Sequence, residues 1–105
     1  MATSVDFIEY VCEQINGAGI IRHKKMFGEY MVYVDEKPTL LVCDNTVYVK
    51  MLPSLEGFMR NAGKGHPYKG AKEHYILDVE DAENAKTVAG ITAQNTLLPK
   101  KKQVK

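Results

Sequence analysis

Three histidines, two cysteines and one glycine-flanked lysine are the side chains of this 105-residue chain whose types could support bond-making or metal chemistry. His23, His66 and His74 lack the His-x-x-x-His spacing that sets two imidazoles on one helical face, so no zinc site is read from them. Acid-base work by His66 or His74 needs a carboxylate such as Glu73 or Asp78 beside it in a deep pocket, a proximity no linear motif provides. Cys12 and Cys43 fall inside apolar-periodic segments without a Cys-x-x-Cys pair, and read as buried free thiols. Gly63-Lys64-Gly65 departs from a phosphate loop: it closes a helical pattern instead of opening one, and no hydroxyl residue follows the lysine. The expectation is no catalytic residue, no metal and no cofactor.

Recognition is the other chemistry available. Six tyrosines, with Arg22, Lys24 and Lys25 just ahead of Phe27, raise the possibility of a sheet that stacks nucleic-acid bases. The run Lys25-Met26-Phe27-Gly28-Glu29-Tyr30-Met31-Val32 keeps the lysine, phenylalanine and glycine of such a stretch but puts Glu29 where a stacking ring belongs. Tyr30, Tyr33 and Tyr48 are therefore read as sheet residues with one face packed and the hydroxyl wet. Of the 14 basic residues, Lys100, Lys101, Lys102 and Lys105 crowd into the last six positions; without them 10 basic face 13 acidic residues, about -3. A dedicated nucleic-acid binder carries a basic face instead. Residues 100–105 read as a solvated basic tail, and residues 1–99 as a single domain. No basic region followed by an apolar run opens the chain and no stretch reaches the ~18 apolar residues of a membrane span, so a cytoplasmic location without membrane contact is expected.

The elements that must position these residues follow from periodicity. Ile8, Val11, Cys12 and Ile15 form the stripe of an amphipathic helix over residues 3–17, with Thr3 or Ser4 as cap and Gly17 as stop. The period then shortens to that of strands at 20–27, 30–34, 39–43 and 46–50, joined by Gly28, by the polar Asp35-Glu36-Lys37-Pro38, and by Asp44-Asn45, which suits a two-residue hairpin. Pro53, Leu55, Phe58, Met59 and Ala62 predict a second helix ending at Gly63, although Gly57 weakens it by about 1 kcal/mol. Residues 63–72 read as an irregular Gly/Pro loop, 74–77 as a fifth strand, and the acidic cluster from Asp78 to Glu83 as the start of a third helix running to about Leu97. The order α-β-β-β-β-α-β-α predicts an α+β two-layer sandwich, a mostly antiparallel sheet of about five strands with three helices.

The segment from Lys25 to Asp35, continuing through Val42 to Lys50, resembles the N-terminal domain of the TfoX/Sxy family of competence regulators. Pro67-Tyr68-Lys69-Gly70-Ala71-Lys72 and the end from Ile91 to Pro99 look like one branch of that family, so the similarity covers nearly the whole chain. The resemblance implies a bacterial origin and a small α+β domain related to secretion-chaperone-like folds. It marks Met26, Phe27, Gly28, Tyr30, Tyr33, Asp44, Pro67, Tyr68 and Gly70 as motif residues, mainly structural. Longer family members add a second domain and act as transcription coactivators beside a DNA-binding activator; 105 residues leave no room for that half.

The function expected is that of a non-enzymatic, TfoX-like regulatory module, related to competence or transcription, that binds another protein or a second copy of itself through an open strand edge or sheet face. Arg22, Lys24, Lys25, Tyr68, Lys69 and Lys72 are the candidate interaction residues, with Arg22, Lys24 and Lys25 set against the acidic Glu80, Asp81 and Glu83 as complementary surfaces. The alternative is weak nucleic-acid binding by the basic strand and the lysine tail.

Overall fold

The Ser4 hydroxyl accepts the Phe7 N–H at 3.1 Å and so starts the first helix, α1 (Val5–Gln14), with Asp6 in its first turn. Ile8, Val11 and Ile15 are fully buried, as their spacing predicts, and Gly17 leaves the helix at φ +107°. The computed structural model describes residues 3–26 and 29–96. Phe27, Gly28 and the lysine-rich end from Leu97 to Lys105 lie outside the described residues.

Four antiparallel neighbours follow in a meander: β1 (Ile21–Met26), β2 (Glu29–Val34), β3 (Lys37–Cys43) and β4 (Thr46–Val49). Asp44 and Asn45 take φ 52° and 56°, the positive pair a two-residue hairpin requires. Asp35 and Glu36 do the same at 53° and 71°, so this connection is shorter than the four polar residues suggest and β3 starts at Lys37. The Asp35 turn is tied to the entry of β1. Ile20 N–H donates to Asp35 Oδ1, and Asp35 N–H to the Ile20 carbonyl, both at 2.9 Å. Gly19 makes that approach possible: at φ +151°, a Cβ there would sit 2.8 Å from both Asp35 Oδ2 and Val34 Cγ1. Between Val32 and Tyr33 the β2–β3 register shifts, because Thr39 has no opposite residue; it is buried, with its hydroxyl on the Lys37 carbonyl at 2.8 Å.

The second half differs from expectation. The predicted second helix is only a 3₁₀ turn, Pro53–Leu55, followed by further turns through Ala62. Leu55 and Met59 are buried and bonded i to i+4 at 2.9 Å, yet Phe58 stays 46% exposed and Gly57 lies between them. Two anchors and a glycine do not sustain a helix when nucleation is costly and tertiary contact holds only one side. The Gly/Pro loop likewise contains a short strand, β5 (Lys64–Gly65), paired antiparallel with β6 (His74–Ile76). Among the described residues the sheet therefore has six strands, ordered β1-β2-β3-β4-β6-β5, and two α-helices accompany it instead of three.

The last helix, α2 (Ala82–Gln94), begins later than its acidic cluster suggests because Asp81 is its N-cap, taking the Asn84 N–H on Oδ1 at 3.2 Å, while Asp78 Oδ1 takes the Glu80 N–H at 3.0 Å in a turn ahead of the helix. Val88 and Ala89 of α2 share one core with Ile8, Val11 and Ile15 of α1 and with Val32, Val34, Leu40, Val42, Val47 and Val49 of the sheet. Because strand side chains alternate, that core uses one parity of each strand, and both helices lie on the same side. The fold is a two-layer α+β sandwich, and among the described residues no helix lies on its other sheet face.

Candidate functional site: the uncovered sheet face

The register aligns one residue from each of five strands across this uncovered face: Lys24, Met31, Leu41, Tyr48 and Ile76 are successive partners. Met31, Leu41, Tyr48 and Ile76 are half-buried, and none of them belongs to the helix-covered core. Tyr33, beside this row and opposite Arg22 on one side and Pro38 on the other, is half-buried as well. A sheet face left to water normally alternates toward polar residues. This one carries sulfur, aliphatic and aromatic side chains at its centre.

Beside the middle of the row, on the side of the β3–β4 hairpin, lies a pocket of about 500 Å³. Met26, Glu29, Leu41 and Cys43 floor it from β1, β2 and β3, Tyr30 contributes from β2, and Pro67 and Tyr68 wall it from the loop after β5. Pro67 is buried, whereas Tyr68 is 61% exposed. The loop is closed on itself: Ala71 N–H reaches the Tyr68 carbonyl at 3.0 Å, the His66 ring meets the Ala71 carbonyl at 2.8 Å through Nδ1, and Gly70 turns at φ +90°. Glu29, the one carboxylate in the pocket, is fixed by two donors on a single oxygen, the Thr3 hydroxyl at 2.7 Å and the Asp44 N–H at 2.9 Å. Thr3 Oγ1 in turn accepts the Asn45 N–H at 3.2 Å, and Asn45 Oδ1 takes the Ser4 N–H at 3.1 Å. The start of α1, the β3–β4 hairpin and the first residue of β2 are thus latched together behind the pocket. The Cys43 thiol, only 5% exposed, is pushed up to about 11 by burial first and then by the Glu29 and Asp44 carboxylates. It is a packing group, not a nucleophile.

The TfoX N-terminal domain family matches residues 13–97. The chain belongs to that family. A relative from Spirochaeta aurantia, an uncharacterized 12.7 kDa protein in the trpE 5' region, is 36% identical over 107 residues, covering 100% of this chain and 93% of its own.

Within this TfoX domain the motif residues divide. Met26 and Tyr30, from one segment, meet Pro67 and Tyr68, from another, around the pocket. Tyr33 shares the open face but not the pocket, Asp44 acts through its backbone at the hairpin, and Gly70 shapes the loop. Arg22 and Lys24 lie on the same strand parity as Met26, and Lys25 on the opposite one. Arg22 Nη1 pairs with Glu36 Oε2 at 2.8 Å, with both side chains mostly exposed. Lys69 and Lys72 are exposed on the loop and line no part of the pocket. Glu29, Leu41, Cys43 and Thr3 complete the site without having been singled out for it. Leu41 and Cys43 were readable from alternation, whereas the Thr3–Glu29 bond joins residues 26 positions apart and leaves no trace in local pattern.

The residues that could do chemistry do not converge. Cys12 Sγ lies 3.7 Å from His23 Nδ1, but burial and then Glu9 raise its pKa, so the thiol keeps its proton. His74 Nδ1 bonds the Lys72 carbonyl at 2.7 Å, while its ring meets Tyr48 edge-on. A cleft of about 730 Å³ between the start of α1, the turns after β4 and the start of α2 takes in Asp78, and neither His66 nor His74 lines it. Among the described residues no three His, Cys, Asp or Glu side chains cluster as metal ligands, and no helix is long and apolar enough to cross a membrane.

Proposed function

We propose that this TfoX-domain protein is a non-enzymatic regulatory module, of the competence or transcription kind, that docks another protein or a second copy of itself on its uncovered sheet face. One observation carries the reading. The row Met31–Leu41–Tyr48–Ile76 is apolar and partly exposed on the side of the sheet that neither helix covers. Contiguous apolar surface of this kind on a small domain marks an interaction site, and the adjoining pocket suits the side chain of a partner. Family membership supports a regulatory role; the thiols held protonated and His66 and His74 bonded to backbone carbonyls support recognition over catalysis.

Light scattering at micromolar concentration, together with affinity capture from lysate of the native host, tests this when the Leu41→Glu/Tyr48→Glu variant is run beside the wild type. Self-association or a retained protein that the variant loses is the expected result. A strict monomer that retains nothing, or retention the variant leaves unchanged, contradicts it.

A further inference from the structure

The two edges of the sheet are unequal. β5 closes one edge with only two residues, whereas β1 leaves the other open over six, paired on one side alone. An open edge presents a ladder of unpaired backbone groups, and its side chains decide which strand is accepted. On β1 these are Arg22, His23, Lys24 and Lys25, four consecutive exposed residues that put basic groups on both faces of the strand. Arg22 already has Glu36, and His23 packs against Cys12 and edge-on to Tyr30. Lys24 and Lys25 have no carboxylate partner among the described residues.

We infer that the β1 edge is a strand-addition site for an acidic, extended segment of another protein, one that sets two adjacent Asp or Glu residues opposite Lys24 and Lys25. Charge disfavours a second copy paired about the centre of this strand. Antiparallel self-pairing centred on β1 sets Arg22 against Lys25 twice, like charges directly opposite. The chain's own acidic cluster is no substitute strand, because Asp78 is engaged in the turn ahead of α2, Asp81 caps that helix, and the helix begins at Ala82. Charged edge side chains, lysine above all, deter edge-to-edge aggregation. Two lysines on opposite faces, neither of them paired, go beyond that and define a charge pattern. The inference rests on the chain's being an interaction module but uses the sheet edge, not the face, so either can fail alone.

The test is an NMR titration of the ¹⁵N-labelled full chain with a synthetic peptide of alternating valine and threonine around a central Glu-Glu pair. Expected are shifts concentrated at residues 21–26, slowed hydrogen exchange of the β1 amides that point away from β2, and affinity that weakens with salt. Lys24→Glu/Lys25→Glu should lose about tenfold in affinity and gain binding to the matching Lys-Lys peptide, with Lys24→Gln/Lys25→Gln as a milder variant and thermal melts as the check on folding. The Leu41→Glu/Tyr48→Glu variant should bind the acidic peptide as the wild type does, even where face docking is lost. No saturable shift at millimolar peptide, equal binding of the Lys-Lys peptide to the wild type, or a twelve-residue oligothymidylate that moves the β1 signals at lower concentration than the peptide overturns the inference, the last in favour of nucleic acid.

Discussion

Two neighbouring rows of side chains cross this sheet one residue apart. His23, Val32, Leu40, Val49 and Tyr75 are successive partners on the helix-covered side; Lys24, Met31, Leu41, Tyr48 and Ile76 are their immediate chain neighbours on the other. Each row is apolar from β2 onward and basic at β1. In the first row Val32, Leu40 and Val49 are at most 1% exposed, and in the second no residue is buried. Hydrophobicity by itself therefore does not say which row is core. The helices decide: α1 and α2 supply Ile8, Val11, Ile15, Val88 and Ala89 to one side and nothing to the other. A sheet that is apolar on both faces but covered on one has surface to spare for a partner.

The comparison is broken or sharpened first by adjacent substitutions in the two rows. Leu40→Ala removes a fully buried side chain and should cost about 2–5 kcal/mol in urea unfolding. Leu41→Ala, half-buried on the open side, should cost no more than about 1 kcal/mol. Equal losses would mean that the open face is structural core. Gly19→Ala comes next, because a one-residue slip of β1 would exchange His23 for Lys24 between the rows, and the close approach at Gly19 fixes where β1 begins. Strain at φ +151° plus the overlap with Asp35 and Val34 should lower stability by about 1–3 kcal/mol, measured in the same urea experiment.

A smaller effect comes from Cys43. Its folded pKa of about 11 lies above its ordinary 9.0, so folding favours the protonated thiol. That contribution is full below pH 9 and is lost as pH rises from 9 to 11. The difference in urea midpoint between wild type and Cys43→Ala should shrink across this window, and a difference that is flat or grows would contradict the assignment. Smallest of all is Tyr68→Ala. Removing this exposed pocket wall should change stability by less than about 0.5 kcal/mol while weakening whatever docks beside it.

Much of this architecture is legible in the chain where short-range physics dominates. The stripe through Ile8, Val11 and Ile15 predicts α1, and Asp44-Asn45 predicts its hairpin, because each signal lies within one turn of the chain. The segment after Pro53 misleads for the opposite reason: Leu55 and Met59 keep helical spacing, yet tertiary anchoring of those two is satisfied by a string of turns around Gly57. β5 is invisible locally, since Lys64 and Gly65 have no strand preference and pair only because β6 passes alongside. The site shows the same division. Met26, Tyr30, Pro67 and Tyr68 are each conspicuous in the sequence, but their meeting around one pocket depends on the sheet order and on the closed loop after β5. The Lys24 and Lys25 edge was legible as charge; that it is an edge comes from topology.

The most direct test of the central claim is methyl NMR with a soluble paramagnetic relaxation agent, following the Met31, Leu41 and Ile76 methyls against those of Val32, Leu40 and Val47. In the dilute free chain the first set should broaden and the second should be spared. With the captured partner added, or at the concentration where self-association sets in, protection should return to Met31, Leu41 and Ile76. If these methyls stay accessible while the complex protects other surfaces, the uncovered face is not where this domain docks.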